Sequence, residues 1–217
     1  MIEQIISIIA PHQCLACHTE GRLICKNCVA QLPVPDQKCY KCGNACTSKR
    51  TCQKCRSPLK VISAATKYEG TAKDLIYHLK FGRATAAAND VAQIISERVA
   101  FPADAIFVPV PTVPKRVRIR GYDQSVLIAR NLAVLRGQAY IPLLARLGQQ
   151  RQVGQSRQKR EQQMRGAFRL VQHPVPPTTP IILVDDVLTT GASLKAAARQ
   201  LRAAGFSRVS AVVFAVA

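Results

Sequence analysis

Four C-x-x-C pairs lie within the first quarter of this 217-residue chain and constrain its fold more than any other feature. They are Cys14/Cys17, Cys25/Cys28, Cys39/Cys42 and Cys52/Cys55. Two residues between thiolates allow a tight turn to present both sulfurs to one tetrahedral metal ion. Four pairs supply the ligands of two complete sites, and the sequence therefore predicts two structural zinc ions.

The spacing between the pairs indicates how they combine. Gaps of seven and nine residues separate the first pair from the second and the third from the fourth. Neighbouring pairs would then form small ribbons, with Cys14, Cys17, Cys25 and Cys28 on one zinc and Cys39, Cys42, Cys52 and Cys55 on the other. An interleaved pairing satisfies the same spacing. The ninth cysteine, Cys46, is left over as a free or substitute thiol.

A single C-x-x-C pair is also typical of a redox dithiol or of core cysteines, but four in so short a segment favour metal binding. The segment is too short to fold on its apolar residues alone, so metal binding should supply its folding free energy. The first ten residues lack a basic region and contain Glu3, so neither a signal peptide nor a membrane span is expected. We expect an amphipathic helix there, with Ile2, Ile5, Ile6 and Ile9 on one face, and a cytoplasmic protein.

The chain has a formal net charge of +19, and 48% of its residues are apolar. That apolar fraction predicts a folded protein, and the excess of Lys and Arg favours a polyanion or a phosphorylated small molecule as partner. A basic surface with no dedicated anion site is the alternative. The 5 Tyr and 6 Phe, with no Trp, argue against a platform that stacks nucleobases. Any DNA would then be held mainly through its backbone, with strong salt dependence.

After the last cysteine, residues 56–60 form a short linker, and apolar runs then alternate with helical stretches. Strands are predicted at residues 61–68, 105–110, 180–184 and 208–216, and helices at 71–80, 89–99, 123–136 and 193–204. Such alternation is typical of a largely parallel sheet with helices on both faces. The sequence therefore predicts a cysteine-rich zinc-ribbon domain at residues 1–57 and an α/β domain at residues 58–217.

The sharpest signal in the α/β region is IILVDDVLTTGAS at residues 181–193. Its four apolar residues predict a buried strand, with Asp185 and Asp186 emerging at the carboxyl end. The following loop, made of Thr189, Thr190, Gly191, Ala192 and Ser193, opens a helix. Backbone N–H groups, hydroxyls and the positive end of that helix suit a phosphate monoester, while the two carboxylates suit the ring hydroxyls of a ribose. The loop is not a Walker A sequence, because no Gly-Lys-Ser/Thr follows its glycine.

This segment resembles the 5-phosphoribosyl 1-diphosphate (PRPP) motif of type I phosphoribosyltransferases. Further segments resemble the ComF family of amidophosphoribosyltransferase-like competence proteins. They are the double cysteine ribbon, Tyr68-Glu69-Gly70 with Leu79-Lys80-Phe81, Val108-Pro109-Val110-Pro111 with the run from Arg116 to Ser125, and Gln155-Ser156-Arg157 with Arg160 and Gly166-Ala167-Phe168. The family commonly has Asn where this chain has Asp123 and Gln163.

The resemblance implies a type I phosphoribosyltransferase-like fold, with the 5′-phosphate of PRPP on residues 189–193 and the ribose on Asp185 and Asp186. Pyrophosphate, with Mg²⁺, would face the loop after the strand that ends at residue 110. That loop holds Lys115, Arg116, Arg118 and Arg120. Asp123 adds a carboxylate nearby, which would either weaken anion binding or orient the arginines. The basic segment 151–165 resembles the mobile loop that such folds close over substrate.

Several functions follow from the resemblance. We favour a PRPP-binding protein that handles single-stranded DNA in the cytoplasm during natural transformation, with DNA-uptake proteins as partners. The alternative is an active phosphoribosyltransferase that acts on an unidentified nucleobase or amine. A metabolic or regulatory role on the same scaffold is a third possibility. The intact acid pair favours a real phosphoribosyl site, since a purely electrostatic DNA binder has no use for carboxylates there.

Overall fold

The structure is a computed structural model that describes residues 12–46, 52–55, 57–82, 84–147, 166–171 and 174–217. Two sequence predictions, the amphipathic helix at residues 2–9 and the mobile loop at 151–165, lie outside these ranges. Within them, no helix has both the length and the apolar content that crossing a membrane requires.

A four-stranded parallel sheet forms the centre of the α/β region. Its strands are β1 (Ile62–Lys67), β2 (Ile106–Pro109), β5 (Ile181–Leu188) and β6 (Val209–Val216), in the spatial order β1-β6-β5-β2. All neighbouring strands pair in parallel. β2 is buried along its whole length, as expected for a strand with both faces covered. The parallel α/β sheet predicted from the alternation of elements is confirmed.

Helices cover both faces of this sheet. In chain order the helices are α1 (Lys26–Ala30), α2 (Gly70–Phe81), α3 (Ala84–Arg98), α4 (Pro114–Arg120), α5 (Gln124–Arg136) and α6 (Ala192–Ala203). Helices α2, α3 and α5 pack with Phe107 and Phe214 in one buried cluster. Helix α6 packs with Val108 and Val213 in a second cluster. Successive strand residues thus enter opposite cores, as the two-residue period of a strand requires.

Two elements of the α/β region differ from the prediction. Residues 114–120 form α4 instead of an open loop, with Pro114 in the first turn and Gly121, at φ 81°, as the C-cap. None of the residues of α4 is buried, so it lacks the apolar stripe from which helices are predicted. The antiparallel pair β3 (Leu144–Arg146) and β4 (Phe168–Leu170) was not predicted, because three-residue strands carry almost no periodic signal.

The acid pair lies inside β5 rather than after it. The prediction ended this strand at residue 184, but β5 continues to Leu188. Asp185 is in register with Val213 of β6, and Val187 with Ala215. The ladder passes across both carboxylates because β6 offers an apolar partner of equal length. Helix α3 likewise begins at residue 84, earlier than the predicted residue 89.

The cysteine-rich segment shares a core with the α/β region. Cys14, Leu23 and Ile24 belong to the same buried cluster as α2 and α3. The buried carboxylate of Asp90 on α3 accepts hydrogen bonds from Arg22 Nε at 2.9 Å and Arg22 Nη2 at 2.7 Å. Its second oxygen accepts the backbone N–H of Ile24 at 3.1 Å. Core contacts therefore cross the boundary predicted at residue 57.

The end of α3 also fixes the chain that follows the second C-x-x-C pair. The Arg98 guanidinium donates to the carbonyl oxygens of Val29, Leu32 and Ala65. The Thr66 hydroxyl on β1 donates to the Pro33 carbonyl at 3.0 Å. These contacts hold residues 29–33 against the edge strand β1.

Candidate functional site

Two groups of four cysteines are each assembled from neighbouring C-x-x-C pairs. The first cluster is Cys14, Cys17, Cys25 and Cys28, and the second cluster is Cys39, Cys42, Cys52 and Cys55. Within each cluster the sulfur atoms all lie within 4.8 Å of one another. The neighbour pairing is confirmed and the interleaved one is not adopted. None of the nine cysteines forms a disulfide, and Cys46 belongs to neither cluster.

The sulfur positions fit tetrahedral zinc. Zn–S bonds of about 2.3 Å place the sulfurs about 3.8 Å apart. Cys17 Sγ lies 3.6 Å from Cys25 Sγ, and Cys42 Sγ lies 3.7 Å from Cys52 Sγ. The chain therefore contains two four-cysteine zinc sites with the geometry of structural zinc.

The charges within each cluster also call for a cation. Hydrogen bonding with Cys17 is the main cause that raises the pKa of Cys28 to about 12. Cys52 does the same to Cys55, whose pKa is also raised to about 12. Hydrogen bonds from Thr19 instead lower the pKa of Cys17 to about 6. Zinc resolves this conflict, because it binds all four thiolates and offsets their charge.

Each cluster opens with the same tight turn. We call residues 14–18 the first knuckle and residues 39–43 the second knuckle. The last residue of each has a left-handed backbone, with φ 60° at His18 and φ 74° at Gly43. In each, this residue donates its N–H to the carbonyl of the first cysteine, at 2.9 Å in the first knuckle and 2.8 Å in the second. The two turns are equivalent in backbone and differ in the side chains that they carry.

Residues 189–193, the TTGAS loop, join β5 to α6. Gly191, at φ 68°, is the N-cap of α6 and makes no side-chain cap hydrogen bond. The Ala192 N–H lies 3.4 Å from Thr190 Oγ1. Helix N-termini carry N–H groups without intrahelical partners and a partial positive charge. A pocket of about 70 Å³ lined by this loop and by Asp185 is therefore suited to a small anion such as phosphate.

Asp185 and Asp186 lie beside this pocket on β5. Asp186 is buried and Asp185 is partly exposed. The Ser125 hydroxyl, at the start of α5, donates to Asp185 Oδ1 at 3.1 Å. Burial, and then the negative charge of Asp186, raise the pKa of Asp185 well above its ordinary range. Two carboxylates in this position favour a ligand that donates hydrogen bonds or carries a cation.

Lys80 is a site residue to which the sequence analysis gave no role. Its ammonium lies 2.6 Å from Asp186 Oδ2, which is an ion-pair distance. Despite this short distance, the geometry gives Asp186 Oδ2 no well-aligned hydrogen bond among the described residues. The available signal was the Leu79-Lys80-Phe81 motif at the end of α2.

The basic residues that were expected to face pyrophosphate lie on helix α4. Lys115, Arg116 and Arg118 are exposed. Arg120 is partly buried, donates to Gln124 Oε1 at 2.9 Å, and lies over the Phe81 ring at 5.1 Å from its centroid. Three of the four cations thus face solvent near the carboxyl end of β2, and the fourth packs against α2.

Asp123 caps α5 and closes the loop after β2. Its carboxylate accepts the Thr112 N–H at 2.7 Å, the Thr112 hydroxyl at 3.0 Å and the Ser125 N–H at 3.0 Å. These bonds account for both carboxylate oxygens. Asp123 therefore shapes the loop that carries α4, and no described arginine forms an ion pair with it.

Arg146 on β3 is a second cation that the sequence analysis missed. It donates to the Pro111 carbonyl at 3.3 Å and lies over the Phe168 ring at 5.1 Å from its centroid. Burial lowers the pKa of Arg146, and the negative charge of Asp185 opposes this shift. Because β3 was not predicted, nothing in the sequence placed Arg146 at the site.

Two of the few aromatic side chains are exposed next to α4. Tyr77 and Phe81 on α2 are 61% and 64% exposed, and their ring centroids are 5.3 Å apart. Ile119 on α4 is 75% exposed. The Tyr122 hydroxyl, just after α4, donates to the Leu79 carbonyl at 2.8 Å and joins the two helices. We define the α2–α4 surface as Tyr77, Phe81, Arg116, Arg118, Ile119 and Arg120.

Comparison with known proteins assigns the cysteine-rich segment. A family profile described as a double zinc ribbon domain matches residues 5–56. A comparison with curated protein sequences finds no match.

Several solved structures are similar to part of the chain. An allosteric regulatory enzyme of purine biosynthesis is 22% identical with a TM-score of 0.43, over 59% of this chain and 25% of that one. A glutamine PRPP amidotransferase from B. subtilis, complexed with ADP and GMP, is 21% identical with a TM-score of 0.43, over 59% and 26%. An adenine phosphoribosyltransferase from Leishmania tarentolae is 16% identical with a TM-score of 0.38, over 59% and 56%. The chain thus spans about a quarter of the first two proteins.

Proposed function

We propose that the site at the carboxyl edge of β5 binds PRPP. The observation that carries this proposal is an acid pair followed directly by a helix N-terminus with a glycine N-cap on one strand–turn–helix unit. A loop that binds phosphate alone has no need of two carboxylates. A cation site alone has no need of a positive helix end. A phosphorylated ribose uses both, because its phosphate is an anion and its ring hydroxyls donate hydrogen bonds.

In this binding mode the 5′-phosphate lies in the pocket of the TTGAS loop. It accepts hydrogen bonds from the N–H groups at the start of α6 and from the hydroxyls of Thr189, Thr190 and Ser193. The ribose hydroxyls donate to Asp185 and Asp186. Asp185, which is partly exposed and lines this pocket, supports this assignment.

The donor set also fits Mg²⁺, since carboxylate oxygens and substrate phosphates are its preferred ligands. Asp185 and Asp186 would hold the ion, which when bound neutralises charge on the pyrophosphate of PRPP. Lys115, Arg116 and Arg118 on α4 provide exposed positive charge for the same group. Arg146 adds a partly buried cation on the β3 side.

We further propose that the chain acts as a ComF-type protein in the cytoplasm, handling single-stranded DNA during natural transformation together with DNA-uptake proteins. The sequence motifs and the double zinc ribbon match at residues 5–56 support this role. Residues 1–57 would then act as the zinc ribbon and residues 58–217 as the PRPP-binding domain. The alternative is a phosphoribosyltransferase that transfers the sugar to an unidentified nucleobase or amine.

Calorimetric titration of the zinc-loaded protein with PRPP and Mg²⁺ tests the binding site. We expect one site per chain, and no binding in the double variant Asp185→Asn/Asp186→Asn. Thr190→Val should weaken PRPP binding by roughly ten- to a hundredfold, because a lost hydrogen bond to a charged group costs about 1.5–3 kcal/mol. The control is Asp74→Asn/Asp104→Asn, which removes the same charge from exposed positions. Wild-type affinity in the Asp185/Asp186 double variant would contradict the proposal.

Release of pyrophosphate decides between the binding role and the transferase role. Zinc-loaded protein is incubated with PRPP, Mg²⁺ and a panel of nucleobases and amines. Release that depends on one acceptor, and that the double variant lacks, would establish the transferase. Release at the level of the double variant with every acceptor would favour the binding role.

The α2–α4 surface favours single-stranded DNA as a further ligand. Arg116 and Arg118 are exposed cations for phosphates, and Tyr77 and Phe81 are exposed rings on which bases stack. The low aromatic content of the whole chain argued against stacking, but two of these rings are adjacent and exposed. The surface therefore combines the two elements that sequence-tolerant single-strand binders use.

Titrations with single-stranded DNA at several salt concentrations separate the contribution of the arginines from that of the exposed rings. Each phosphate contact contributes about 0.7 to the slope of log affinity against log salt concentration. Arg116→Ala/Arg118→Ala/Arg120→Ala should flatten this slope. Tyr77→Ala/Phe81→Ala should weaken binding with the slope unchanged, and Val134→Ala, at an 82% exposed position on α5, should do neither. A slope that the arginine changes leave intact would place the DNA elsewhere.

A further inference from the structure

The second knuckle reaches the proposed PRPP site through the ring of Tyr40. Tyr40 follows Cys39, and its ring packs against Gly191 of the TTGAS loop. A Cβ built on Gly191 would lie 2.8 Å from both Cδ2 and Cε2 of this ring. Non-bonded carbon atoms prefer about 3.5–4.0 Å. The ring therefore leaves room only for a hydrogen at Gly191, and it bears directly on the turn that starts α6.

The second cluster fixes the position of this ring. Cys39 donates its N–H to the Asn44 carbonyl at 2.8 Å, and Gly43 donates back to Cys39 at 2.8 Å. The Tyr40 hydroxyl lies 3.3 Å from Ser57 Oγ, just beyond the last cysteine. The ring is thus held chiefly by the metal-binding turn from which it projects, and its hydroxyl also lies near the segment that follows the fourth C-x-x-C pair.

The residue of the first knuckle that corresponds to Tyr40 is Leu15, and it packs against a different part of the protein. Leu15 follows Cys14 as Tyr40 follows Cys39, but it packs against the buried cluster of α2 and α3. Tyr40 packs against the cluster of α6 on the other face of the sheet. Leu15 is therefore the matched control for any change at Tyr40.

A cleft of about 330 Å³ lies beside the Tyr40 contact. Its wall includes Lys38 and Tyr40 from the cysteine-rich segment, Tyr68 from the end of β1, and Thr189. Its volume falls within the range of small-molecule sites. Because Thr189 is the first residue of the TTGAS loop, the second knuckle borders the same ligand-binding edge as the loop.

We propose that Tyr40 is a positioning residue of the PRPP site and couples the second cluster to the TTGAS loop. The proposal rests on the function proposed for that loop. Zinc fixes the second knuckle, the knuckle fixes the Tyr40 ring, and the ring holds Gly191 in its left-handed conformation. Coupling between two binding sites is reciprocal. PRPP must therefore strengthen zinc binding in the second cluster by the same factor by which that zinc strengthens PRPP binding.

Three variants of the full-length, zinc-loaded protein test this coupling. Tyr40→Ala should weaken PRPP binding about tenfold in calorimetry, within the usual range of coupling between sites. Tyr40→Phe keeps the ring and should bind as the wild type does, as should Leu15→Ala. Hydrogen exchange of the TTGAS amides provides a readout that does not depend on ligand, and it should accelerate only in Tyr40→Ala.

Zinc affinity provides the reciprocal measurement. A chromogenic chelator competes for both zinc ions at equilibrium, and the two transitions are assigned with Cys17→Ala and Cys42→Ala, which each remove one ligand. Saturating PRPP should raise the zinc affinity of the second cluster in the wild type and leave that of the first cluster unchanged. In Tyr40→Ala, PRPP should change neither affinity.

The outcomes separate the coupling from the function on which it rests. A wild type that binds no PRPP would overturn the function, while exchange in the TTGAS loop would still decide the coupling. Equal PRPP affinity and equal loop exchange in wild type and Tyr40→Ala would overturn the coupling alone. If Tyr40→Ala does not fold, Tyr40→Leu, which keeps apolar bulk without the ring, takes its place in both measurements.

Discussion

The two cysteine clusters share a ligand pattern but differ in what surrounds them. The first cluster lies in the main core, where Cys14 is buried and the Arg22–Asp90 ion pair fixes the adjoining chain to α3. The second cluster packs through Tyr40 against Gly191. One cluster therefore supports the sheet, and the other borders the proposed ligand site. The residue that follows the first cysteine, Leu15 in one cluster and Tyr40 in the other, packs on a different face of the sheet in each case, although the ligand spacing is similar.

Removing one zinc ion at a time should give the largest difference between the two clusters. Cys14→Ala and Cys39→Ala each remove a buried ligand and should each reduce the zinc content from two ions to one. Structural zinc contributes on the order of 10 kcal/mol to the folding of small modules. We expect Cys14→Ala to lower the melting temperature of the whole chain. Cys39→Ala should leave the sheet folded and weaken PRPP binding.

Metal analysis, circular dichroism and calorimetry on both variants measure these effects. Equal loss of sheet stability in Cys14→Ala and Cys39→Ala would show that the two clusters do not differ in role. Retention of both zinc ions in either variant would show that the four-cysteine assignment of that cluster is wrong.

The next effect concerns the contact between the first cluster and α3. Asp90→Ala leaves the Ile24 N–H and the partly exposed Arg22 without their acceptor. Loss of a buried acceptor for a charged group costs on the order of 3 kcal/mol of unfolding free energy. Asp36→Ala, which removes exposed ion pairs with Lys38 and Lys67 near the second knuckle, is the control. Urea denaturation should show a clear loss only for Asp90→Ala.

A double-mutant cycle sharpens the account of the second cluster. Gly191→Ala places a methyl group 2.8 Å from the Tyr40 ring at a left-handed residue. The left-handed conformation alone costs about 1–2 kcal/mol for a residue with a side chain. The added cost from the ring should disappear in Gly191→Ala/Tyr40→Ala, so the two changes should not be additive. Additive losses of unfolding free energy would mean that the ring and the loop do not touch in solution.

The smallest effect contrasts one carboxylate from each region, Asp90 and Asp185. Asp90 is hydrogen-bonded and stabilises the fold, whereas burial and Asp186 raise the pKa of Asp185. Because the pKa of Asp185 is higher in the folded than in the unfolded protein, protonation of Asp185 stabilises the fold. This contribution to the unfolding free energy is complete below the unfolded-state pKa of about 4, and it is lost as the pH rises through the folded-state pKa. The Asp185→Asn variant has no carboxyl group to titrate at this position, so only the wild type loses this contribution. The unfolding free energy of the variant minus that of the wild type should therefore increase over that pH range.

Urea denaturation of wild type and Asp185→Asn at a series of pH values measures this difference. The comparison of the two proteins cancels the titration of the thiols, which both contain. A difference that is constant with pH would mean that Asp185 has an ordinary pKa.

The sequence predicted those parts of the molecule that local pattern determines. C-x-x-C spacing predicted two four-cysteine sites and favoured pairing of neighbours, which the structure confirms. The DDVLTTGAS motif placed Asp185 and Asp186 next to the loop. The extension of β5 past the acid pair was not predicted, because it depends on pairing with β6. Helix α4 was missed because none of its residues is buried, although Pro114 and Gly121 are typical helix boundaries.

The contacts that complete the site could not be predicted from local patterns in the sequence. Lys80 reaches Asp186 on β5 from helix α2, and Arg146 lies on a three-residue strand. The packing of Tyr40 on Gly191 brings the cysteine-rich segment into contact with the TTGAS loop, which is far from it in sequence. Such contacts follow from the arrangement of elements in space, which single-residue preferences do not encode.

A crystal structure of the zinc-loaded protein with PRPP and Mg²⁺ tests the central claim most directly. We expect the 5′-phosphate within hydrogen-bond distance of the N–H groups at residues 191–193, with both ribose hydroxyls on Asp185 and Asp186. The Tyr40 ring should remain packed on Gly191. PRPP bound elsewhere on the chain, with the TTGAS loop free of phosphate at saturating ligand, would contradict the account.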